Sequence, residues 1–100
     1  MLVLPAPTRV NFSQLKGVLG AHELELAREE EFADRFSDCV VGAMPPFGVL
    51  YQVPTYVDEF LAGAEEIVFL AGTHHEALKL RYSDYERLAQ PRALSFAYSV

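Results

Sequence analysis

The sequence predicts an α+β fold, with short helices set around a mixed, largely antiparallel sheet. Three observations predict it. Helical and strand periodicities interleave along the chain with short, hairpin-like connections between them. The chain has 100 residues, of which 51% are hydrophobic and 12% aromatic, enough to close one core and one domain over residues 1–100. Gly42-Ala43-Met44-Pro45-Pro46-Phe47-Gly48 breaks the pattern, because Pro45 and Pro46 lack N–H groups and push the residue before each toward extended geometry.

The elements follow in order. Leu2-Val3-Leu4 is a short apolar run stopped by Pro5 and Pro7, which reads as a buried strand that leaves the sheet. From Asn11 the spacing turns helical, with Phe12, Leu15, Val18 and Leu19 on one face, Asn11 or Ser13 as cap and Gly20 as terminator. His22 to Ala27 alternates as a half-buried strand, and Arg28 to Phe36 reads as a short acidic helix with Phe32, Ala33 and Phe36 inward. Pro54 to Val57 is a strand, and Asp58 caps a brief helical turn through Leu61. Glu66 to Ala71 holds Ile67-Val68-Phe69-Leu70, which fits a strand covered on both faces. Ala77 to Tyr82 alternates and pairs back onto it. Ser83 with Glu86 makes a capping box for a helix holding Tyr85, Leu88 and Ala89, Pro91 ends that helix, and Ala93 to Tyr98 forms a last strand.

Composition narrows the function classes. A formal net charge of −6 argues against a general nucleic-acid binder, since phosphate contacts need Lys and Arg. The charge is uneven, however: half of the acidic residues lie between Glu23 and Asp38, whereas Lys79, Arg81, Arg87 and Arg92 gather near the C-terminus. They make either a local basic face or a set of solvated charges. No apolar run reaches membrane-spanning length, and the N-terminal residues lack the basic region and cleavage site of a secretory signal. The single Cys39 excludes an internal disulfide and makes a reducing cytoplasm the simplest setting. Cys39 is either a nucleophile or a partly buried structural thiol.

Candidate chemistry concentrates in two places. The Pro-Pro segment, with apolar Met44 and Phe47 between Gly42 and Gly48, is either a preformed pocket wall or a rigid connector whose Phe plugs the core. Downstream, Gly72-Thr73-His74-His75 breaks the apolar strand, and one histidine stands either at the mouth of that pocket or on an exposed turn. Adjacent His74, His75 and Glu76 point to alternating faces of an extended chain, so no metal is expected there. There is no phosphate-cradling glycine loop, dinucleotide fingerprint or nucleophile elbow, and no cofactor is expected.

Leu4-Pro5-Ala6-Pro7, the Gly42 to Gly48 segment, Tyr56-Val57-Asp58-Glu59, Phe69-Leu70-Ala71-Gly72-Thr73-His74 and Arg81-Tyr82-Ser83-Asp84-Tyr85 together resemble the YbaK/ProX family of aminoacyl-tRNA editing domains. The resemblance covers nearly the whole chain. It implies a strongly curved sheet and hydrolysis of the ester of mischarged tRNA, carrying a small amino acid such as alanine or cysteine on the tRNA for proline. No metal or covalent enzyme nucleophile is implied: water or a terminal tRNA hydroxyl attacks while backbone dipoles hold the carbonyl. By this resemblance Gly72, Thr73 and His74 serve catalysis, with the N–H groups of Phe47 and Gly48, or of Gly72 and Thr73, as donors. Gly42, Met44, Pro45, Pro46, Phe47, Gly48 and Asp58 bind substrate, and Lys79, Arg81 and Arg87 meet the acceptor end of the tRNA.

Members of that family are longer before the point that matches Met1, and the extra part brings a helix, a strand and a lysine central to deacylation. Neither Lys16 nor Lys79 matches its place. A non-catalytic module binding aminoacyl-tRNA or protein is therefore the alternative. An uncovered sheet edge near Leu2-Val3-Leu4 implies self-association.

Overall fold

The computed structural model describes residues 1–21, 23–25, 27–32, 34, 39–40 and 43–99. Among the described residues three small sheets replace the one expected. In the first, β1 (Leu2–Val3), β3 (Tyr56–Asp58) and β6 (Arg92–Leu94) lie in the order β1-β3-β6, both pairings parallel. In the second, β2 (Thr8–Val10) runs antiparallel to β7 (Ala97–Ser99), and in the third β4 (Glu66–Leu70) runs antiparallel to β5 (Ala77–Arg81). Four short α-helices among the described residues, α1 (Phe12–Leu19), α2 (Glu29–Phe32), α3 (Glu59–Ala62) and α4 (Tyr82–Ala89), complete an α+β fold. No helix among the described residues is long and apolar enough to cross a membrane.

Local chemistry accounts for most boundaries. The prolines after β1 force a turn in which Thr8 donates its N–H and its hydroxyl to the Pro5 carbonyl, at 3.0 and 2.6 Å. The chain then re-enters as β2, a strand the sequence reading missed. Asn11 caps α1 by accepting from the Gln14 N–H at 3.1 Å, and Gly20 closes it at φ +67°. Only Leu15 of that helix is fully buried; Phe12 and Val18 stand partly open.

Asp58 organises the middle of the molecule. It is fully buried at the end of β3, and its Oδ2 caps α3 by accepting from the Phe60 N–H at 2.9 Å. Its Oδ1 accepts from the N–H groups of Phe96 and Ala97, at 2.9 and 2.8 Å. Those two bonds turn the chain at Ser95-Phe96 and divide the expected Ala93–Tyr98 strand into β6 and β7.

Four further expectations are corrected. Glu23–Glu25 and Ala27 join no strand among the described residues; His22 and Leu26 fall outside them. The acidic helix begins at Glu29 rather than Arg28 and is described through Phe32, and Ala33 and Phe36 also lie outside the described residues. α4 starts two residues early, at Tyr82, with Arg81 as an N-cap that makes no side-chain bond. Ser83 and Glu86 then sit inside the helix, so no capping box forms. Finally, β4 is covered on one face only, with Ile67 buried and Val68 open to solvent.

The core joins Val57, Ile67, Tyr82, Tyr85 and Ala89, with Phe47, Phe69, Leu61 and Leu80 packed against them. It therefore sits between α4, the β4–β5 hairpin and the proline loop.

Candidate active site

The segment 43–47 has no regular structure, as its prolines require. It is held instead by backbone bonds to a distant turn. The Gly72 N–H donates to the Ala43 carbonyl at 2.8 Å, and the Val40 N–H donates to the Gly72 carbonyl at 2.8 Å. Gly72 adopts φ +99°, a conformation that a side chain strains, while a Cβ there would meet only the Cys39 Sγ at 3.8 Å. The turn itself is closed by the Ala71 N–H on the Glu76 carbonyl and the His75 N–H on the Thr73 Oγ1, at 3.0 and 3.3 Å. The proline loop and the glycine turn thus meet, as expected.

The space between them does not have the expected shape. Phe47 is a core plug rather than a pocket wall: its ring stands edge-on to Phe69 at 5.5 Å and to Tyr85 at 5.4 Å. Open apolar grooves lie instead on the two sides of half-buried Met44. One, of about 330 Å³, is lined by Leu2 to Ala6, Met44, Pro46, Ile67 and Phe69. The other, of about 640 Å³, is lined by Phe12, Leu15, Leu24, Phe32, Met44 and Val53. Pro45 is half-buried and Pro46 buried beside them.

The backbone donors are mostly spoken for. The Phe47 N–H bonds the Pro45 carbonyl at 2.8 Å, the Gly48 N–H bonds the Thr55 Oγ1 at 3.1 Å, and the Gly72 N–H bonds Ala43 as above. Among the described residues only the Thr73 N–H, of the four expected donors, makes no hydrogen bond. Gly48 is a glycine because Thr55 Oγ1 and the Val53 carbonyl occupy the place of a Cβ.

The remaining candidates separate. Asp58 is not a substrate ligand: both oxygens are consumed by three backbone N–H groups inside the protein. Gly42 lies outside the described residues. His74 and His75 are exposed on the turn. Lys79 pairs with Glu66 at 3.8 Å and Arg87 with Asp84 at 3.3 Å, both at the surface, while Arg81 is exposed between them in sequence. Cys39 is a half-buried thiol with its Sγ 3.1 Å from the Tyr51 hydroxyl. Among the described residues no cluster of three His, Cys, Asp or Glu side chains is arranged to hold a metal.

The sequence reading missed two residues that build this site. The Tyr85 hydroxyl donates to the Pro46 carbonyl at 2.8 Å, and burial pushes its phenol well above the ordinary tyrosine range. Burial, helped by the Glu86 carboxylate, raises Tyr82 in the same direction. Thr55 supplies the acceptor for Gly48. A tyrosine on the inward stripe of a helix signals a buried hydroxyl in need of a partner, which was the available clue for Tyr85. Thr55 gave none.

The chain is thus a small α+β unit that ties a proline loop to a glycine turn beside apolar grooves. The chain belongs to the aminoacyl-tRNA editing domain family, whose family model matches residues 1–88. It is 33% identical over 97 residues to the multifunctional Ser/Thr-tRNA deacylase ProXp-y of Escherichia coli strain K12, a match spanning 96% of this chain and 58% of that protein. The chain thus spans somewhat over half the length of the curated relatives it matches. Its fold is similar to a crystal structure assigned as a trans-editing enzyme for prolyl-tRNA synthetase, at TM-score 0.75 and 24% identity, covering 92% of this chain and 57% of the other. It is also similar to part of a protein of Marinobacter aquaeolei VT8 assigned to signal transduction, at TM-score 0.82 and 20% identity, covering 98% of this chain and 22% of the other.

Proposed function

We propose that this chain is an aminoacyl-tRNA deacylase of the trans-editing kind, acting in the cytoplasm on a small amino acid attached to the wrong tRNA. One observation carries the reading: within residues that match the editing family, two segments far apart in sequence are bonded to each other at Ala43 and Gly72. In this reading the Thr73 N–H polarises the ester carbonyl, as the donor left over after Phe47, Gly48 and Gly72 have found partners. Water, aligned by the neighbouring ribose hydroxyl, attacks the carbonyl carbon and gives up a proton as the free amino acid forms. The bond to the esterified ribose oxygen breaks, and that oxygen leaves with a proton as the tRNA hydroxyl. Exposed His74 meets the substrate amine or the terminal phosphate. Met44, standing between the grooves, limits the size of the aminoacyl group, where one methylene discriminates by about 1–3 kcal/mol. The amino acid is small, and the tRNA for proline is one candidate carrier.

The acceptor end is met by Lys79, Arg81 and Arg87. Two of these are in surface ion pairs, which contribute about 0–1 kcal/mol each and so yield readily to a phosphate. The test is release of amino acid from pre-formed seryl-, threonyl- and alanyl-tRNA, including the tRNA for proline charged with alanine. Release faster than in buffer supports the reading, and no release from any of them ends it.

A second reading is favoured by the same donors: with three of four occupied, the chain is a module that binds an aminoacyl end without turnover. Tight, salt-sensitive tRNA binding with no release of amino acid selects it.

A further inference from the structure

Tyr85 is fully buried on α4, and its hydroxyl reaches across to the Pro46 carbonyl at 2.8 Å. The loop it reaches has few ways of being held, because neither Pro45 nor Pro46 has an N–H to donate. Carbonyls and side chains must do more of the holding, and Tyr85 engages one of each. Besides the Pro46 carbonyl it meets the Phe47 ring at 5.4 Å, and Phe47 in turn meets Phe69 at 5.5 Å. Phe69 lies near the end of β4, the strand that runs into Gly72. Loop and turn are therefore joined twice, once directly by the Gly72 N–H on Ala43 and once through Tyr85, Phe47 and Phe69. Tyr82 offers the natural comparison. It is buried on the same helix, 5.7 Å from the Tyr85 ring, and its hydroxyl makes no protein hydrogen bond among the described residues.

We propose that Tyr85 is a positioning residue: its hydroxyl on Pro46 and its ring against Phe47 fix where the proline loop stands relative to the Gly72-Thr73 turn, and so how an aminoacyl ester is seated. The catalytic half of this statement rests on the deacylase reading above. The coupling half does not, since it concerns the loop and the turn alone. Tyr85 itself touches no substrate.

The experiment compares Tyr85→Phe with Tyr82→Phe in the whole chain, by amide hydrogen exchange and by deacylation kinetics. The Gly72 amide reports the loop–turn bond without any substrate, and core amides of α4 report global opening. Loss of one neutral hydrogen bond shifts an opening equilibrium about 2- to 12-fold. Gly72 exchange is expected to quicken by that factor in Tyr85→Phe beyond any change at the α4 amides, and to stay level with them in Tyr82→Phe. Deacylation by Tyr85→Phe is expected to lose kcat over the same range while KM for the tRNA holds. Equal Gly72 exchange in the two variants overturns the proposal. Faster Gly72 exchange with unchanged kcat overturns the positioning role. A wild-type chain with no turnover sinks the deacylase reading, and Gly72 exchange then still decides whether the coupling exists.

Discussion

Gly48 carries no side chain because Thr55 Oγ1 and the Val53 carbonyl already occupy the place where a Cβ would stand. Gly17, on the open face of α1, has nothing within 4 Å of the same position. Alanine should therefore act in opposite directions at the two. Gly48→Ala is expected to cost about 1–3 kcal/mol by overpacking a site closed by backbone, whereas Gly17→Ala is expected to gain about 0.4–1 kcal/mol from a less flexible unfolded chain. Urea unfolding of both variants checks the pair, and a harmless Gly48→Ala would refute the close packing. Both glycines look alike in the sequence. What separates them is a threonine seven positions away, and nothing local to Gly48 announces it. Asp58 shows the reverse: its role as a helix cap was legible from its place before Glu59-Phe60-Leu61, but its two bonds to Phe96 and Ala97 were not. A carboxylate beside a candidate pocket reads as a ligand until long-range partners are seen to consume it.

At the level of elements, legibility followed the range of the forces involved. α1 was readable to its ends, because Asn11 and Gly20 are local signals that act within one turn. The β4–β5 hairpin was readable from a continuous apolar run, an alternating one and a short turn between them. The parallel pairing of β1 with β3 and of β3 with β6 was not, since nothing in a two- or three-residue strand encodes its distant neighbours. β2 was missed for the same reason, and the capping box at Ser83 failed because a tertiary bond, the Tyr82 N–H on the Glu65 carbonyl at 2.9 Å, fixes the start of α4. Arg81 consequently occupies an N-cap position to which it contributes no bond. Replacing it tests two ideas at once. Arg81→Ser should stabilise the chain by about 0.5–1 kcal/mol through a new cap, and should weaken tRNA binding with a salt slope smaller by about one contact. A variant that is stabilised yet binds tRNA as before would remove Arg81 from the interface.

Over the whole molecule, the acidic balance and the open apolar surface pull in different directions. A net charge of −6 favours separate copies, while the two grooves beside Met44 present apolar area and β1 pairs with β3 alone among the described residues. We propose that the edge prevails and that copies self-associate through β1. Sedimentation at rising concentration should show assemblies larger than one chain, reduced by a charged residue at Val3, and a monomer at every concentration would contradict this. The meeting of the proline loop with the glycine turn was legible because both segments are composed of residues with restricted or unusual backbone. The filling of the space between them by Phe47 was not, because a phenylalanine on a loop is equally suited to wall and plug. The most direct test of the account is amino-acid release from mischarged tRNA by the wild-type chain and by Gly72→Ala, whose added methyl fits the space but strains the turn. The expected result is release well above the buffer rate, reduced roughly 10- to 100-fold in a folded Gly72→Ala by displacement of the Thr73 N–H. Release no faster than in buffer, or a variant as active as the wild type, would contradict it.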